Sequence, residues 1–196
     1  MNFLAHLHLS GENDGLIVGN FLADFIRNSQ VEDLPEPIRE GVALHRRIDT
    51  YTDNHPMVRQ SSARLRPKHR KYAPVLVDVF YDFLLARNWG RYHAAPLSNF
   101  TASTYQVLEE HRSLMPPFLQ ERLSLMIADD WLHRYTTPEG LSFVFSRMKR
   151  RLTRPEWLQG ALDSLLVDLD AYEEEFNAFF PEVIEFVKGG ERGERV

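Results

Sequence analysis

The chain has 196 residues, of which 43% are hydrophobic and 12% aromatic, and this is enough apolar material for one sizeable core in a single domain. Its formal net charge of -5 excludes a globally basic nucleic-acid binder, and its apolar content excludes an intrinsically disordered chain. The absence of cysteine excludes a disulfide framework, a thiolate metal site and a cysteine nucleophile. No stretch approaches the roughly 20 apolar residues of a membrane span, and no leader pattern opens the chain. We therefore expect a soluble, cytoplasmic protein without a membrane partner.

Helical periodicity dominates the sequence. Asn13-Asp14-Gly15 precedes apolar residues at helical spacing, which predicts a helix over 15–27 that contains Asp24. Two prolines, Pro35 and Pro37, introduce a second helix that ends near the turn at 53–56. The remaining helices are predicted at 72–89, 97–110, 117–135, 138–150, 155–166 and 168–187.

No segment shows convincing strand alternation, so the predicted fold is all-α. We expect a single-domain helical bundle over residues 1–187. Residues 188–196 are rich in glycine and charge, which predicts a flexible C-terminal tail.

Several carboxylates interrupt apolar helical segments. Asp24 lies between Ala23 and Phe25, and Asp78 and Asp82 follow the same pattern in the helix predicted at 72–89. Burying an unpaired carboxylate costs several kcal/mol, so a cluster of such acids favours a cation. Pairs at i, i+4 project from one helix face, and His45 forms such a pair with Asp49. The predicted metal-binding set is therefore His6, Asp24, His45, Asp49, Asp78 and Asp82.

Ligation by oxygen with one or two imidazoles suits Mn²⁺, or alternatively Mg²⁺, better than structural zinc. Such an ion would activate water for attack on phosphorus, and the candidate catalytic residues are Asp24, His45 and Asp49. Each acid could instead cap a helix, pair with an arginine or face water. The number of ions and the identity of the general base stay open.

Basic residues form two runs that contain no acid. The first comprises Arg64, Arg66, Lys68, His69, Arg70 and Lys71, and it precedes the helix that carries Asp78. We expect this first run to contact an acidic partner, although such runs also occur as solvated helix ends. The second comprises Arg147, Lys149, Arg150, Arg151 and Arg154. Beside His45, Arg46 and Arg47 are candidates for binding a phosphate or for forming salt bridges.

Three ordered motifs resemble the acyl carrier protein phosphodiesterase family. They are MNFLAHLHL at 1–9, GNFLADF at 19–25, and HRRID at 45–49 with TDN at 52–54. The stretch DVFYDFL at 78–84 and the later Trp131-Leu132 and Arg134-Tyr135 extend the resemblance over roughly the first 140 residues.

The resemblance implies an α-helical fold related to the HD phosphohydrolase superfamily and a preference for Mn²⁺. It also implies hydrolysis of holo-acyl carrier protein to apo-protein and 4'-phosphopantetheine, within lipid metabolism and fatty acid biosynthesis. This chain departs from the usual HD signature, because Arg46 follows His45 and the nearest acid downstream is Asp49. The ligand roles of ordinary HD enzymes therefore do not transfer directly.

Two other functions remain open from the sequence. An HD-type phosphohydrolase acting on a nucleotide or another small phosphoester would use the same metal cluster. A noncatalytic helical adaptor would instead use its basic runs to bind an acidic partner. We expect no nucleic-acid partner, and the sequence leaves the oligomeric state open.

Overall fold

A computed structural model describes residues 1–150 and 152–193, and within them the secondary structure is helical, without a strand. The α-helices of this part of the chain are α1 (Phe3–Leu9), α2 (Asp14–Leu22), α3 (Asn28–Val31), α4 (Glu36–Asn54), α5 (Pro56–His69), α6 (Ala73–Arg87), α7 (Trp89–Tyr92), α8 (Leu97–Glu110), α9 (Pro117–Ala128), α10 (Pro138–Lys149), α11 (Ala161–Val167) and α12 (Leu169–Gly193). Short 3₁₀ helices occupy Arg70–Tyr72, Arg112–Leu114, His133–Thr136 and Pro155–Leu158. The predicted all-α fold is confirmed.

Several predicted helix bounds were wrong for local reasons. The helix predicted at 15–27 ends at Leu22, and the amide of Phe25 bonds the carbonyl of Leu22 in a turn that contains Asp24. The helix predicted at 117–135 ends at Ala128, before Asp130 adopts a φ of 46°. The helix predicted at 155–166 is interrupted because Gly160 is left-handed, with a φ of 68°.

The C-terminal helix α12 continues to Gly193, beyond the domain boundary predicted at residue 187. Of the predicted tail, 194–196 lie outside the described residues. Arg151 of the second basic run lies outside them too. No helix in the described ranges is long and apolar enough to cross a membrane.

Helix α6 lies at the centre of the bundle. Buried residues occur on all sides of it, as is typical of a helix enclosed by others. The N-terminal helix α1 packs on α6, and α12 packs on α4, α5 and α6 through aromatic side chains that include Tyr172, Phe176 and Phe179. Because α1 and α4 pack around this centre, polar residues far apart in sequence can meet.

Helices α2 and α4 cross at very short range. A Cβ on Gly19 would lie 2.0 Å from the carbonyl oxygen of Ile38, and one on Gly41 would lie 2.6 Å from that of Leu16. Only glycine allows two backbones to approach this closely. The crossing brings Asn20 of α2 against His45 of α4.

Candidate metal centre

Two imidazoles and a carboxylate converge between α1 and α4. Asp49 spans both imidazoles, because its Oδ1 lies 3.1 Å from Nε2 of His6 and its Oδ2 lies 3.0 Å from Nε2 of His45. The two rings are stacked with centroids 4.1 Å apart. Each of these residues offers a ligand atom within 4.8 Å of the others, a spacing that could hold one metal ion. The i, i+4 pair predicted on α4 therefore does point to a common centre.

Asp24 stands at the rim of this cluster. Its Oδ1 lies 3.4 Å from Nε2 of His45, and its side chain is 50% exposed. The side chain of Asp49 is 43% exposed, whereas His6 and His45 are buried. The carboxylates thus face solvent and the imidazoles form the inner wall, so a substrate can reach the centre from the carboxylate side.

Asn20 connects the two histidines, and the sequence analysis did not identify it. Its Nδ2 donates to the carbonyl of His6 at 3.0 Å, and its Oδ1 accepts from Nδ1 of His45 at 2.9 Å. The Nδ1 of His45 also lies 3.0 Å from the carbonyl oxygen of Asn20. Because both of these neighbours are acceptors, Nδ1 of His45 must carry the proton, and Nε2 is directed at the carboxylates. This arrangement fixes the tautomer of a histidine that binds a metal.

The two histidines titrate in opposite directions. Burial disfavours the charged form of His45, but hydrogen bonds to Asp24 and Asp49 outweigh it and raise its pKa to about 9. Burial dominates at His6 and lowers its pKa to about 4. Burial also opposes the charge on Asp49, yet the hydrogen bonds from both histidines lower its pKa below the usual range. The pair of carboxylates therefore stabilises positive charge at this point.

The residues present fit a divalent cation. His6 and His45 each offer an imidazole nitrogen and Asp49 offers carboxylate oxygen, while Asp24 stands at the rim, 3.4 Å from His45. Carboxylate ligands favour Mn²⁺ and Mg²⁺, and imidazole favours later transition metals. The ordered Nδ1 of His45 supplies the outer hydrogen bond that metal-binding histidines usually make.

Asp82 does not join this cluster, and its contacts favour a structural role instead of the predicted role as a metal ligand. Its carboxylate is fully buried and accepts hydrogen bonds from the amides of Leu4 and Ala5, at 2.8 and 3.1 Å. These amides belong to the first turn of α1, where donors lack partners within the helix. Burial raises the pKa of Asp82 to about 7 in spite of these bonds. Asp82 therefore fixes α1, and through it the position of His6.

Asp78 contacts the amino group of Met1, and not the histidines. Its Oδ1 lies 3.2 Å from that nitrogen, which is also 3.8 Å from Oδ1 of Asp49. Burial raises the pKa of Asp78, and the positive charge on Met1 opposes this rise. Asp78 is therefore a neighbour of the centre, one contact removed from Asp49, and its ligand role stays a prediction.

The arginines after His45 point elsewhere. Arg46 donates to Oδ1 of Asn28 at 2.7 Å, and the guanidinium of Arg47 lies 5.6 Å from the ring centroid of Phe186. Both line a groove on the far side of α4 with Tyr51 and Phe186. The structure does not bring either to the cluster, and a phosphate role for them stays a prediction.

The first basic run is partly engaged within the fold. Arg64 pairs with the buried Glu175 at 2.6 Å, and Lys68 donates to the carbonyl of Gly160. Lys71 donates to Thr153, and His69 is fully buried, whereas Arg66, Lys68, Arg70 and Lys71 are all exposed. Contact of this run with an acidic partner stays a prediction.

Fold and site together define an all-α protein with a solvent-facing histidine–carboxylate cluster whose spacing could hold a metal ion. Residues 1–183 match the sequence model of one family, described as acyl carrier protein phosphodiesterase. The chain belongs to this family, and it is therefore an enzyme, a phosphodiesterase.

Curated relatives that bear the name acyl carrier protein phosphodiesterase match over almost the whole chain. The relative from Enterobacter sp. (strain 638) is 33% identical over 94% of this chain and 96% of its own length. The one from Serratia proteamaculans (strain 568) is 32% identical over 96% of this chain and 98% of its own length. The one from Escherichia coli O6:H1 is 34% identical over 94% of this chain and 96% of its own length. No solved structure matches the chain significantly, so the relation to HD phosphohydrolases stays a prediction.

Proposed function

We propose that this protein hydrolyses holo-acyl carrier protein to apo-acyl carrier protein and 4'-phosphopantetheine in a reaction that depends on Mn²⁺, with Mg²⁺ as the alternative ion. The observation that carries the proposal is the cluster of His6, His45, Asp49 and Asp24. It occurs in a chain whose relatives are named for acyl carrier protein. We expect both proteins in the cytoplasm, in keeping with a chain that contains no cysteine.

Breaking a phosphodiester requires a nucleophilic water and neutralisation of charge on the phosphoryl oxygens. A divalent cation supplies both when it is bound, because it lowers the pKa of water and attracts the phosphoryl oxygens. His6, His45 and Asp49 would hold such an ion. Their buried rings and the Asn20 hydrogen bonds keep the donor atoms in place without a cost at the moment of reaction.

Asp24 has the position of a general base. It is the most exposed of the four residues, and it lies on a turn rather than inside a helix. Its carboxylate can accept the proton of the attacking water while Asp49 stays engaged with both imidazoles. That proton can then pass to the departing oxygen of the carrier protein as the bond between this oxygen and phosphorus breaks. Asp82 contributes at a distance, because it holds the first turn of α1 and so positions His6.

The proposal is tested by incubating the purified protein with holo-acyl carrier protein and Mn²⁺ and measuring the intact mass of the carrier protein. We expect a loss equal to the phosphopantetheine group. Asp24→Asn should lower the rate by about 100-fold or more, and removal of metal with a chelator should abolish the reaction. Asp33→Asn is the matched control, because Asp33 is an exposed aspartate away from the cluster.

Two results would contradict the proposal. An unchanged carrier protein after incubation with folded, metal-loaded enzyme would show that the substrate is another phosphodiester. Full activity in the presence of the chelator would show that the cluster works without a cation.

A further inference from the structure

A pocket opens beside the metal centre, between α1, α6, α9 and α10. Its volume is about 160 Å³, and its walls include Phe3, Val79, Tyr135 and Phe143. Asp78 also lines it, and the amino group of Met1 lies between Asp78 and Asp49. The pocket is therefore an apolar recess one contact removed from Asp49.

Three arginines line this pocket, and their guanidinium groups lie on aromatic rings. Arg122 is 5.1 Å from the ring centroid of Phe25 and 5.5 Å from that of Trp131. Arg147 is 5.2 Å from Trp131 and also pairs with Asp129 at 3.1 Å, and Arg134 is 4.9 Å from the ring of Phe143. Arg122 thus contacts the residue that follows Asp24 in the chain.

The pocket continues outward into a groove over α9 and α10. Arg122, Trp131 and Arg147 line both recesses, and the groove adds Phe118, Glu121, Leu125 and Arg150. We call this surface the docking face. Val75, Phe118, Leu125 and Arg150 are exposed on it, and Arg122 and Arg147 are half-buried.

Apolar side chains are unusually exposed on the docking face. Phe118 is 55% exposed, Leu125 53% and Val75 41%, and these are half of the six large hydrophobic residues exposed in the described ranges. Exposed apolar side chains interspersed with arginine are typical of protein interfaces. This surface therefore combines exposed apolar side chains with positive charge.

We propose that the docking face binds the acidic surface of the carrier protein, and that the pocket receives the part of the pantetheine arm nearest the phosphate. This inference rests on the proposed function and names the surface that the substrate uses. A protein with surplus carboxylates complements chiefly the exposed Arg150, beside the half-buried Arg122 and Arg147, of which Arg147 also pairs with Asp129. The apolar lining suits the dimethyl group of the arm. The pocket is smaller than the roughly 300–1,000 Å³ of a site for a whole small ligand. It therefore takes only a part of the arm, and the remainder lies in the groove.

Charge reversal on two different surfaces tests the docking face. Arg150→Glu should raise KM for holo-acyl carrier protein about tenfold, with a smaller change in kcat. Arg66→Glu makes the same charge change on an exposed arginine of the first basic run and should leave KM unchanged. An equal increase for both variants, or an increase for Arg66→Glu alone, would overturn the assignment.

Apolar truncation gives a second, independent test. Phe118→Ser should raise KM about tenfold, and the matched control is Val167→Ser, which removes an 81% exposed side chain from α11. Each variant is also assayed on bis(p-nitrophenyl) phosphate, a phosphodiester that has no carrier protein. We expect unchanged rates on this diester, and a parallel loss would contradict a role limited to docking.

Binding of apo-acyl carrier protein separates this inference from the proposed function. If wild type leaves holo-acyl carrier protein intact, the proposed function fails whatever the variants do. If wild type is active, weaker binding of apo-protein to Arg150→Glu than to Arg66→Glu supports the docking face. Equal binding by both variants contradicts it, as does a change in the oligomeric state of Phe118→Ser, which would make this face a contact between copies of the chain.

Discussion

Asn20 is the residue on which both imidazoles of the centre depend. Its side chain is 1% exposed, and it bonds the backbone of His6 and the ring of His45 at the same time. It also donates to Oγ of Ser10, so that all three of its polar contacts lie inside the fold. A buried amide with this many bonds cannot be replaced without leaving donors or acceptors unpaired.

We expect Asn20→Ala to weaken metal binding about 10- to 100-fold, as is usual when the outer partner of a metal-binding histidine is removed. Hydrolysis should decrease at limiting metal and recover in part at high Mn²⁺, which a purely structural defect would not do. The control is Asn13→Ala, which removes the side-chain cap of the same helix, where Oδ1 accepts from the amide of Leu16. Metal titration of both variants distinguishes support of the metal site from a purely structural role. Equal metal affinities of the two variants would contradict the role of Asn20 in the metal site.

The sequence predicted the members of the centre better than their roles. His45 and Asp49 share one helix face, so the 3.6-residue period alone indicated their convergence. The same reasoning did not anticipate the hydrogen-bond partners of Asp82, because a buried carboxylate can be satisfied by helix amides as well as by a cation, and Leu4 and Ala5 lie 78 and 77 residues away. Its ligand role stays a prediction. Asn20 carries no charge, so its position among apolar residues did not indicate a site.

At the scale of elements, Arg64 and Glu175 connect α5 with α12. The guanidinium of Arg64 makes two hydrogen bonds to the carboxylate of Glu175. Ser61 and Gln60 of α5 also donate to this carboxylate. Burial opposes the charge on Glu175, but the hydrogen bonds from Arg64 and Ser61 outweigh it and lower its pKa. This pair shows that Arg64 takes part in the packing between α5 and α12; the partner contact of the remaining run stays a prediction.

We expect Glu175→Gln to lower the free energy of unfolding at pH 7 by about 3 kcal/mol, because it leaves Arg64 partly buried without its counter-charge. The pKa of Glu175 is lower in the folded state than in the unfolded state, where it is about 4.3. The ionised carboxylate therefore stabilises the fold above the unfolded pKa, and this stability is lost as the pH falls through the folded pKa. The difference from wild type should therefore shrink below about pH 4. Urea unfolding at pH 7 and at pH 3.5 measures it, with Glu174→Gln on the exposed side of α12 as control. A difference independent of pH would contradict this account.

The sequence predicted the start of a helix correctly where a local signal such as proline marks that start. Prolines introduce α4, α8 and α9, and the predicted bounds of α8 agree with the structure at both ends. Helices α1 and α5 were not predicted. The first has only seven residues and obtains its N-terminal acceptors from Asp82, a tertiary contact. The second is rich in polar residues and contains Pro67, so its pattern lacks a clear apolar stripe.

For the whole molecule, the centre joins parts of the chain that only the tertiary fold brings together. His6 lies on α1, Asp24 follows α2, and His45 and Asp49 lie on α4. The composition and periodicity predicted an all-α bundle, but the relative placement of these elements depends on contacts such as the approach of Gly19 to Gly41, which no local pattern encodes. A cation held by all these residues would therefore link separate elements of the folded state, in which alone the ligands are close together.

This linkage predicts that Mn²⁺ stabilises the fold. An ion that binds only the folded state at 100 times its Kd adds about 2.7 kcal/mol, which corresponds to an increase in Tm of about 5–10 °C for a domain of this size. Thermal unfolding with Mn²⁺ and with chelator measures the shift. Asp49→Asn should abolish it, because Asp49 contacts both imidazoles, whereas Asp53→Asn, one turn further along α4 and exposed, should retain it. Equal shifts in the two variants would place the bound ion elsewhere, and no shift in wild type would contradict a metal centre at this cluster.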